Sequence, residues 1–260
     1  MAFPDDHPAP PEVALHAGDA RAVHARGIRP RSIAFAGAVF GWPYYAGVAA
    51  YLQADTARCP IARLYGTSSG AVVATMLACG IDLATEGLEL GLRADAAGLA
   101  GRRTSFLRAR RFLEPHLHEM DRALPSDAHE RASGRLFITV RQVRGWRRLV
   151  ISEFPTRDAL LDTLAGAVAV PGLTVPLVHV SPRLGAVVDG GPAVDSDDRA
   201  EVSTVRVGIR PGAGYHIAPA APFAWRMLLT IAPPARRREM FERGRADAAR
   251  YFRAMGTLVP

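Results

Sequence analysis

Five consecutive residues, Gly66-Thr67-Ser68-Ser69-Gly70, restrict what this chain can fold into more than any other stretch. They stand between a short strand candidate, Arg63 to Tyr65, and an apolar helical run, Ala71 to Cys79, that stops at Gly80. Glycines two before and two after the serine let the backbone turn sharply from strand to helix, and let the two elements pack closely. Such a turn presents the Ser68 hydroxyl at the strand end, over a helix N-terminus whose amides stabilise developing negative charge. Only Ser68 has glycine at both offsets, so Ser69 is not the candidate nucleophile. The pattern alone also describes a tight turn with an idle serine. The strand before it and the helix after it favour the chemical reading.

The surroundings repeat the strand–turn–helix order. Ser32 to Phe35 (SIAF) is an apolar run suited to a buried strand, the small-residue turn AGAVFGWP follows, and Tyr44 to Gln53 reads as a helix with Pro43 in its first turn. Two such units in succession predict an α/β domain. Downstream, residues 81 to 132 read as helical and polar. Leu136 to Val143 and Leu149 to Phe154 read as strands joined hairpin-fashion through Arg144, Gly145 and Trp146. Asp158 to Ala165 is a helix candidate, Gly185 to Val188 and Val205 to Ile209 are strand candidates, and Arg236 to Met255 carries apolar residues at helical spacing.

A serine nucleophile needs a base. Of eight histidines, His7, His16 and His24 fall in the first thirty residues, and His116 and His118, two apart on one helix, point to different faces, which also argues against a zinc pair. His129, His179 and His216 remain open as triad members. Asp189 is the better candidate: it follows the apolar run GAVV and precedes Gly190 and Gly191. A carboxylate at a strand end against glycine backbone can be held close to a serine and partly desolvated, which raises its basicity. A plain Asp-Gly turn is the competing reading. Gly37, with Ala36 and Ala38, forms a small-residue turn after the first strand, where backbone N–H groups suit an oxyanion hole; the glycine spacing of a dinucleotide site is missing.

The chain carries a formal net charge of +7, all of its counted basic residues being arginine. That favours anionic partners such as phospholipid head groups, though arginine standing in wherever lysine would serve accounts for it equally. Arg102, Arg103, Arg108, Arg110 and Arg111 cluster as candidate head-group ligands, or as a solvated helix face. Cys59 and Cys79 have no metal-type spacing and no disulfide framework, so a cytoplasmic protein is expected. Residues 1–30 are proline-bearing and lack the apolar core of a secretory signal; they read as a flexible leader. Thr163 to Pro182 contains no Asp, Glu, Arg or Lys, but Pro171, Pro176 and Pro182 interrupt it, which argues against a membrane span. Its section Ala165 to Val180 is the candidate wall of an acyl-chain site, or ordinary core.

Taken in order, these pieces resemble the patatin-like phospholipase family, most closely its adipose triglyceride lipase branch. The similar stretches are SIAFAGAVFGWPYYAGVAAYL, LYGTSSGAVVATMLACG, LPSDAHERASGRLFITV, ISEFPTRDALLD, VVDGG and REMFERGRADAARYF, between about residues 31 and 256. The resemblance implies a three-layer α/β/α fold with a mostly parallel central sheet, formed by residues 31–256 as one acyl hydrolase domain. It implies a Ser68–Asp189 dyad needing no metal and no cofactor, supported by Gly66, Gly70 and Gly190, with an oxyanion hole at Gly37, Ala38 and Ser69. The implied chemistry is hydrolysis or transfer of fatty acyl groups from lipid esters through an acyl-enzyme. Peripheral contact with an anionic membrane or lipid surface is expected, an activator protein is implied by some family members, and no nucleic-acid partner is expected. Two departures stand out. Ala38 and Val39 replace residues that are usually glycine or small, and a second glycine followed by PAVDSDD replaces the usual Asn and Pro after Asp-Gly. A lipid-binding or scaffold protein with an impaired site is the alternative from a different class.

Overall fold

The computed structural model describes residues 31–54, 61–100, 110–192, 204–211 and 214–255. The leader at 1–30, Cys59, Arg102, Arg103, Arg108, the acidic run after Pro192 and Gly256 lie outside the described residues.

A seven-stranded sheet organises the molecule. Strand β1 (Ser32–Phe35) leads through a turn at Val39–Gly41 into helix α1 (Trp42–Ala54). Strand β2 (Arg63–Thr67) leads through Ser68 into α2 (Ser69–Cys79), which Gly80 ends in a left-handed conformation. Helices α3 (Leu88–Ala100), α4 (Arg110–Ala123) and the short α5 (Ala128–Ala132) precede strand β3 (Leu136–Gln142), and β4 (Arg147–Ile151) returns beside it. Helix α6 (Arg157–Ala167) opens on Thr156, whose hydroxyl accepts the Ala159 N–H at 3.1 Å, an N-cap. Strands β5 (His179–Ser181), β6 (Gly185–Asp189) and β7 (Thr204–Val207), then helices α7 (Trp225–Leu229) and α8 (Pro234–Ala254), complete the described chain.

Strands β7, β1, β2 and β3 pair in parallel, and β4 and β6 run antiparallel to β3. The fold is thus mixed α/β with a mostly parallel central sheet, as the opening strand–helix repeats predict. All four residues of β1 are buried, as a central strand covered on both faces requires. Ile33, Phe35, Leu64 and Ile138 join one core cluster with α1 and α2.

The pairing around β3 sets the site. β4 occupies one edge of β3 from Ile138 to Gln142. The other edge is shared: β2 pairs with it up to Thr67 opposite Thr139, and β6, arriving from the opposite direction, pairs down to Asp189 opposite Val140. Two strands therefore end nose to nose on neighbouring residues of one edge. Ser68 follows the end of one, and Asp189 is the end of the other.

Candidate active site

At Ser68 the backbone takes φ 55° and ψ −134°, a conformation that L-residues rarely adopt and that marks a sharp strand-to-helix turn. The flanking glycines are needed for contact. A Cβ on Gly66 would stand 2.4 Å from the Ala71 Cα, and one on Gly70 would stand 2.4 Å from the Phe35 carbonyl oxygen and 2.5 Å from that of Ala36. Gly190 plays the same part for the carboxylate: a Cβ there would meet the Thr139 carbonyl oxygen at 2.6 Å.

Asp189 is held through its backbone, whose N–H donates to the Ala169 carbonyl at 2.9 Å. Its Oδ1 accepts the Gly191 N–H at 2.7 Å, and its Oδ2 is buried without a well-formed hydrogen bond. Burial pushes the carboxyl up to about 6, against the neighbouring Ser68 hydroxyl and the Gly191 N–H, which pull it down. The structure thus brings Ser68 and Asp189 together, with burial making the carboxyl more basic than an exposed one.

The three expected oxyanion donors are employed differently. Gly37 N–H donates to the Pro192 carbonyl at 3.1 Å. A Cβ on Gly37 would lie 2.8 Å from the Gly191 carbonyl oxygen, so this glycine lets the Asp189 loop dock against the turn after β1. Ala38 N–H donates to the Ser69 hydroxyl at 3.1 Å. Ser69 N–H lies in the first turn of α2, where the helix supplies no acceptor. Val39, next in the turn, adopts φ 51°.

Ser68 opens on an apolar cleft of about 840 Å³, counted to its open mouth. Val39, Phe40 and Trp42 form one wall, Val72 and Met76 of α2 another, and Leu113, Leu117 and Met120 of α4 a third. From the candidate acyl wall, Val168, Val170 and Thr174 line this cleft, whereas Leu177 and Val180 of the same stretch are exposed. The apolar run therefore has an inner and an outer face.

His129, His179 and His216 are not among the residues lining the cleft. His179 pairs with Asp162 at 2.8 Å, and His216 Nδ1 accepts the Arg206 N–H at 3.0 Å. Periodicity sets His116 aside, yet it lines the cleft, with Nε2 3.1 Å from Asp95 Oδ1. Asp95 in turn pairs with Arg237, both nearly fully buried. The Arg237 guanidinium stands 5.4 Å from the Trp42 ring, behind the cleft wall. The sequence signal for this network is only a lone arginine within an apolar helix face of α8. Among the described residues no group of three or more His, Cys, Asp or Glu is arranged to hold a metal ion, and no helix is long and apolar enough to cross a membrane. Cys79 is a buried free thiol, raised to about 11 by burial.

The chain is 33% identical over 136 residues to human patatin-like phospholipase domain-containing protein 2, covering 50% of this chain and 26% of that protein. It is 30% identical over 155 residues to mouse omega-hydroxyceramide transacylase, covering 55% of this chain and 24% of that protein. It thus spans about a quarter of the length of these two relatives. Among solved structures, VipD from Legionella pneumophila superposes with a TM-score of 0.54 at 12% identity, over 87% of this chain and 67% of that one, a likeness of fold. Residues 33–196 match the patatin-like phospholipase family, and the chain belongs to that family.

Proposed function

We propose that this protein is a serine lipid acyl hydrolase or transacylase, formed by residues 31–256 as one domain. Asp189 takes the proton as the Ser68 oxygen attacks an ester carbonyl, and gives it to the leaving alkoxide oxygen as the tetrahedral intermediate collapses, which releases the alcohol and leaves an acyl-enzyme with Asp189 ionised again. Water or an acceptor alcohol then attacks the acyl-enzyme, giving up its proton to Asp189, which passes it to the departing Ser68 oxygen as the fatty acid or new ester is released. Ser69 N–H and Ala38 N–H hold the oxyanion, the second once the Ser69 hydroxyl has rotated away from it. Gly37 N–H serves instead to fix the Asp189 loop. The acyl chain lies in the cleft between α2, α4 and the 168–174 segment.

The observation that carries this reading is the meeting of the β2 and β6 ends on one edge of β3, which sets Ser68 beside a buried, basic carboxylate at an apolar cleft. The names of the relatives, a phospholipase domain protein and a transacylase, support acyl transfer without fixing the lipid. The reading requires no cofactor and no metal.

The test is labelling of the purified protein by a fluorophosphonate, with Ser68→Ala and Asp189→Asn alongside and turnover of short and long acyl esters followed in all three. Labelling and turnover, both lost in Ser68→Ala, are expected. Asp189→Asn is expected to lose about a hundredfold or more in turnover while staying folded, the contribution typical of a general base. A folded wild-type protein that neither labels nor turns over any ester would overturn the proposal. It would favour a lipid-binding protein with an impaired site, a reading to which Val39 at positive φ and the engaged Ala38 amide lend weight.

A further inference from the structure

The large exposed apolar side chains of the described residues all gather at one end of the sheet. Val150 stands opposite Thr139, which stands opposite Thr67, so it lies level with the C-terminal end of β2 where Ser68 begins. Beyond that level, Val143 N–H donates to the Ala186 carbonyl, and Ala186 pairs with Val180. Strand pairing sets directly opposed residues on one face, so Val143 and Val180, the latter 72% exposed, share an outward face of the β3–β4 and β5–β6 hairpins. Leu177 is exposed two residues before β5, on the segment whose inner face lines the cleft. Across the site, α7 packs Leu228 behind Gly41 of the turn after β1 and leaves Trp225 and Leu229 exposed.

Each side of this end carries a tryptophan paired with an arginine. Trp146, 62% exposed at the β3–β4 tip, lies 5.2 Å from the Arg141 guanidinium; Trp225, 59% exposed, lies 3.6 Å from that of Arg210. Arg144 and Arg147 are exposed beside Trp146. The sequence segments that build the face, Thr139 to Val150, Thr163 to Val188 and Thr204 to Leu229, contain no Asp or Glu. Several large apolar side chains left exposed at one end of a sheet mark an interaction site. Aromatic rings flanked by arginine, with acid excluded, fit a lipid head-group region: the rings sit at the apolar–polar boundary and the guanidinium groups meet anionic head groups.

We infer that the C-terminal end of the sheet is a docking face for an anionic lipid surface, anchored on either side of the Ser68 cleft by the Trp146–Arg141 and Trp225–Arg210 pairs. The inference extends the proposed function, because an enzyme acting on aggregated lipid must bring its cleft to the aggregate, and it rests on that reading only for the purpose of docking. Binding itself is independent of the reaction and is measured on Ser68→Ala.

The chain has three tryptophans, and Trp42 is buried in the cleft wall. Fluorescence of Ser68→Ala is read on phosphatidylcholine vesicles with and without phosphatidylglycerol. A blue shift and protection from an aqueous quencher are expected on the anionic vesicles, and each is expected to fall by about half in Trp146→Phe and again in Trp225→Phe. Arg144→Gln and Arg147→Gln are each expected to weaken vesicle binding about fivefold, corresponding to roughly 1 kcal/mol per arginine near an anionic surface. Arg63→Gln, at the opposite end of β2, is expected to leave it unchanged. Unshifted emission on anionic vesicles, equal loss in Arg63→Gln, or arginine-dependent binding to heparin with none to vesicles would each overturn the inference. Turnover of a short, monomeric ester by the Arg144→Gln and Arg147→Gln proteins separates the two proposals. Retained turnover with lost vesicle binding supports the docking face, and lost turnover in folded protein counts against its independence from catalysis.

Discussion

Replacing Asp189 by Asn should make the protein more stable as it makes it inactive, and by an amount that depends on pH in a definite direction. Burial raises the Asp189 carboxyl from an ordinary value of 3.8 to about 6. A raised acid binds its proton more tightly in the folded chain than in the unfolded one, so folding stability falls as pH rises between the two values. Below 3.8 both states are protonated and the residue costs nothing. Above about 6 both are ionised, and the native state carries the full cost of a buried charge. The gap of about two pH units corresponds to about 3 kcal/mol, at 1.36 kcal/mol per unit. The amide of the Asp189→Asn protein would not titrate, and its side-chain oxygen would keep the acceptor for Gly191 N–H. The quantity to follow is the difference in unfolding free energy, Asp189→Asn minus wild type, from urea denaturation at about pH 4 and about pH 7.5, on either side of the folded-state value. Any pH-independent cost of the amide cancels when the two pH values are compared. Because the unfolded carboxyl is already more than half ionised at about pH 4, the difference should rise by about 2.5 kcal/mol from the lower to the higher pH. A difference that stays flat or falls would refute the reading of Asp189 as a desolvated base, whatever the variant does to activity.

The same carboxyl fixes the rate profile: kcat/KM for a neutral ester should drop about tenfold per pH unit below about 6 and level off above it, because only the ionised form accepts a proton, and a stopped pH series reads this directly. Gly70→Ala places a methyl 2.4 Å from the Phe35 carbonyl oxygen, a contact between backbones that no rotamer relieves; thermal denaturation should show a loss of about 1–3 kcal/mol or more, and labelling of Ser68 by a fluorophosphonate should fall with it. Arg237→Met leaves Asp95 buried without its cation and should cost about 3–5 kcal/mol, whereas Arg237→Met with Asp95→Asn should recover most of it, which a double-mutant cycle in urea measures. Val39→Gly releases a β-branched residue from φ 51° and should leave stability within about 1 kcal/mol, relief of strain set against added chain entropy, while ester turnover stays level or rises.

The frame of the fold is legible in the sequence because it rests on local signals. SIAF, the glycine-flanked serine and the run to Gly80 each carry their own strand, turn or helix chemistry, and the structure places β1, β2 and α2 where that chemistry predicts, to within a few residues. Strand β5 and helix α7 carry no such signal. His179–Ser181 is three residues long and is a strand only because β6 pairs with it, and Trp225–Leu229 is a single turn or so packed on the loop at Gly41. Neither has a local period long enough to declare itself. Within the site, the types of residue are readable and their duties are not. Gly37 reads as an amide donor, but its lack of a side chain is used to admit Gly191 and Pro192, a long-range contact invisible in sequence. His116 is set aside in the sequence because it and His118 point to different faces of one helix, yet the face His116 occupies is the one turned to the cleft.

The altered turn after β1 bears on whether the site is used. Ala38 and Val39 stand where the resemblance expects glycine or another small residue, and Val39 with a positive φ is a true steric outlier for a branched side chain. A turn with no chemical duty would relax, since moving Val39 to an ordinary right-handed or extended conformation removes a cost of order 1–3 kcal/mol. The backbone instead keeps the path that glycine would follow freely, and the consequence is local: the Ala38 N–H stays directed at the Ser69 hydroxyl, one residue from the nucleophile, at 3.1 Å. Of the three non-glycine residues with positive φ among the described residues, Val39, Ser68 at 55° and Trp146, the first two line the same cleft. What valine gives up in backbone ease it returns as apolar wall, in a cleft whose lining is otherwise almost wholly hydrocarbon. The turn thus keeps the direction of an amide while adding apolar surface to the cleft, an arrangement that fits the proposed acyl hydrolase better than an impaired site.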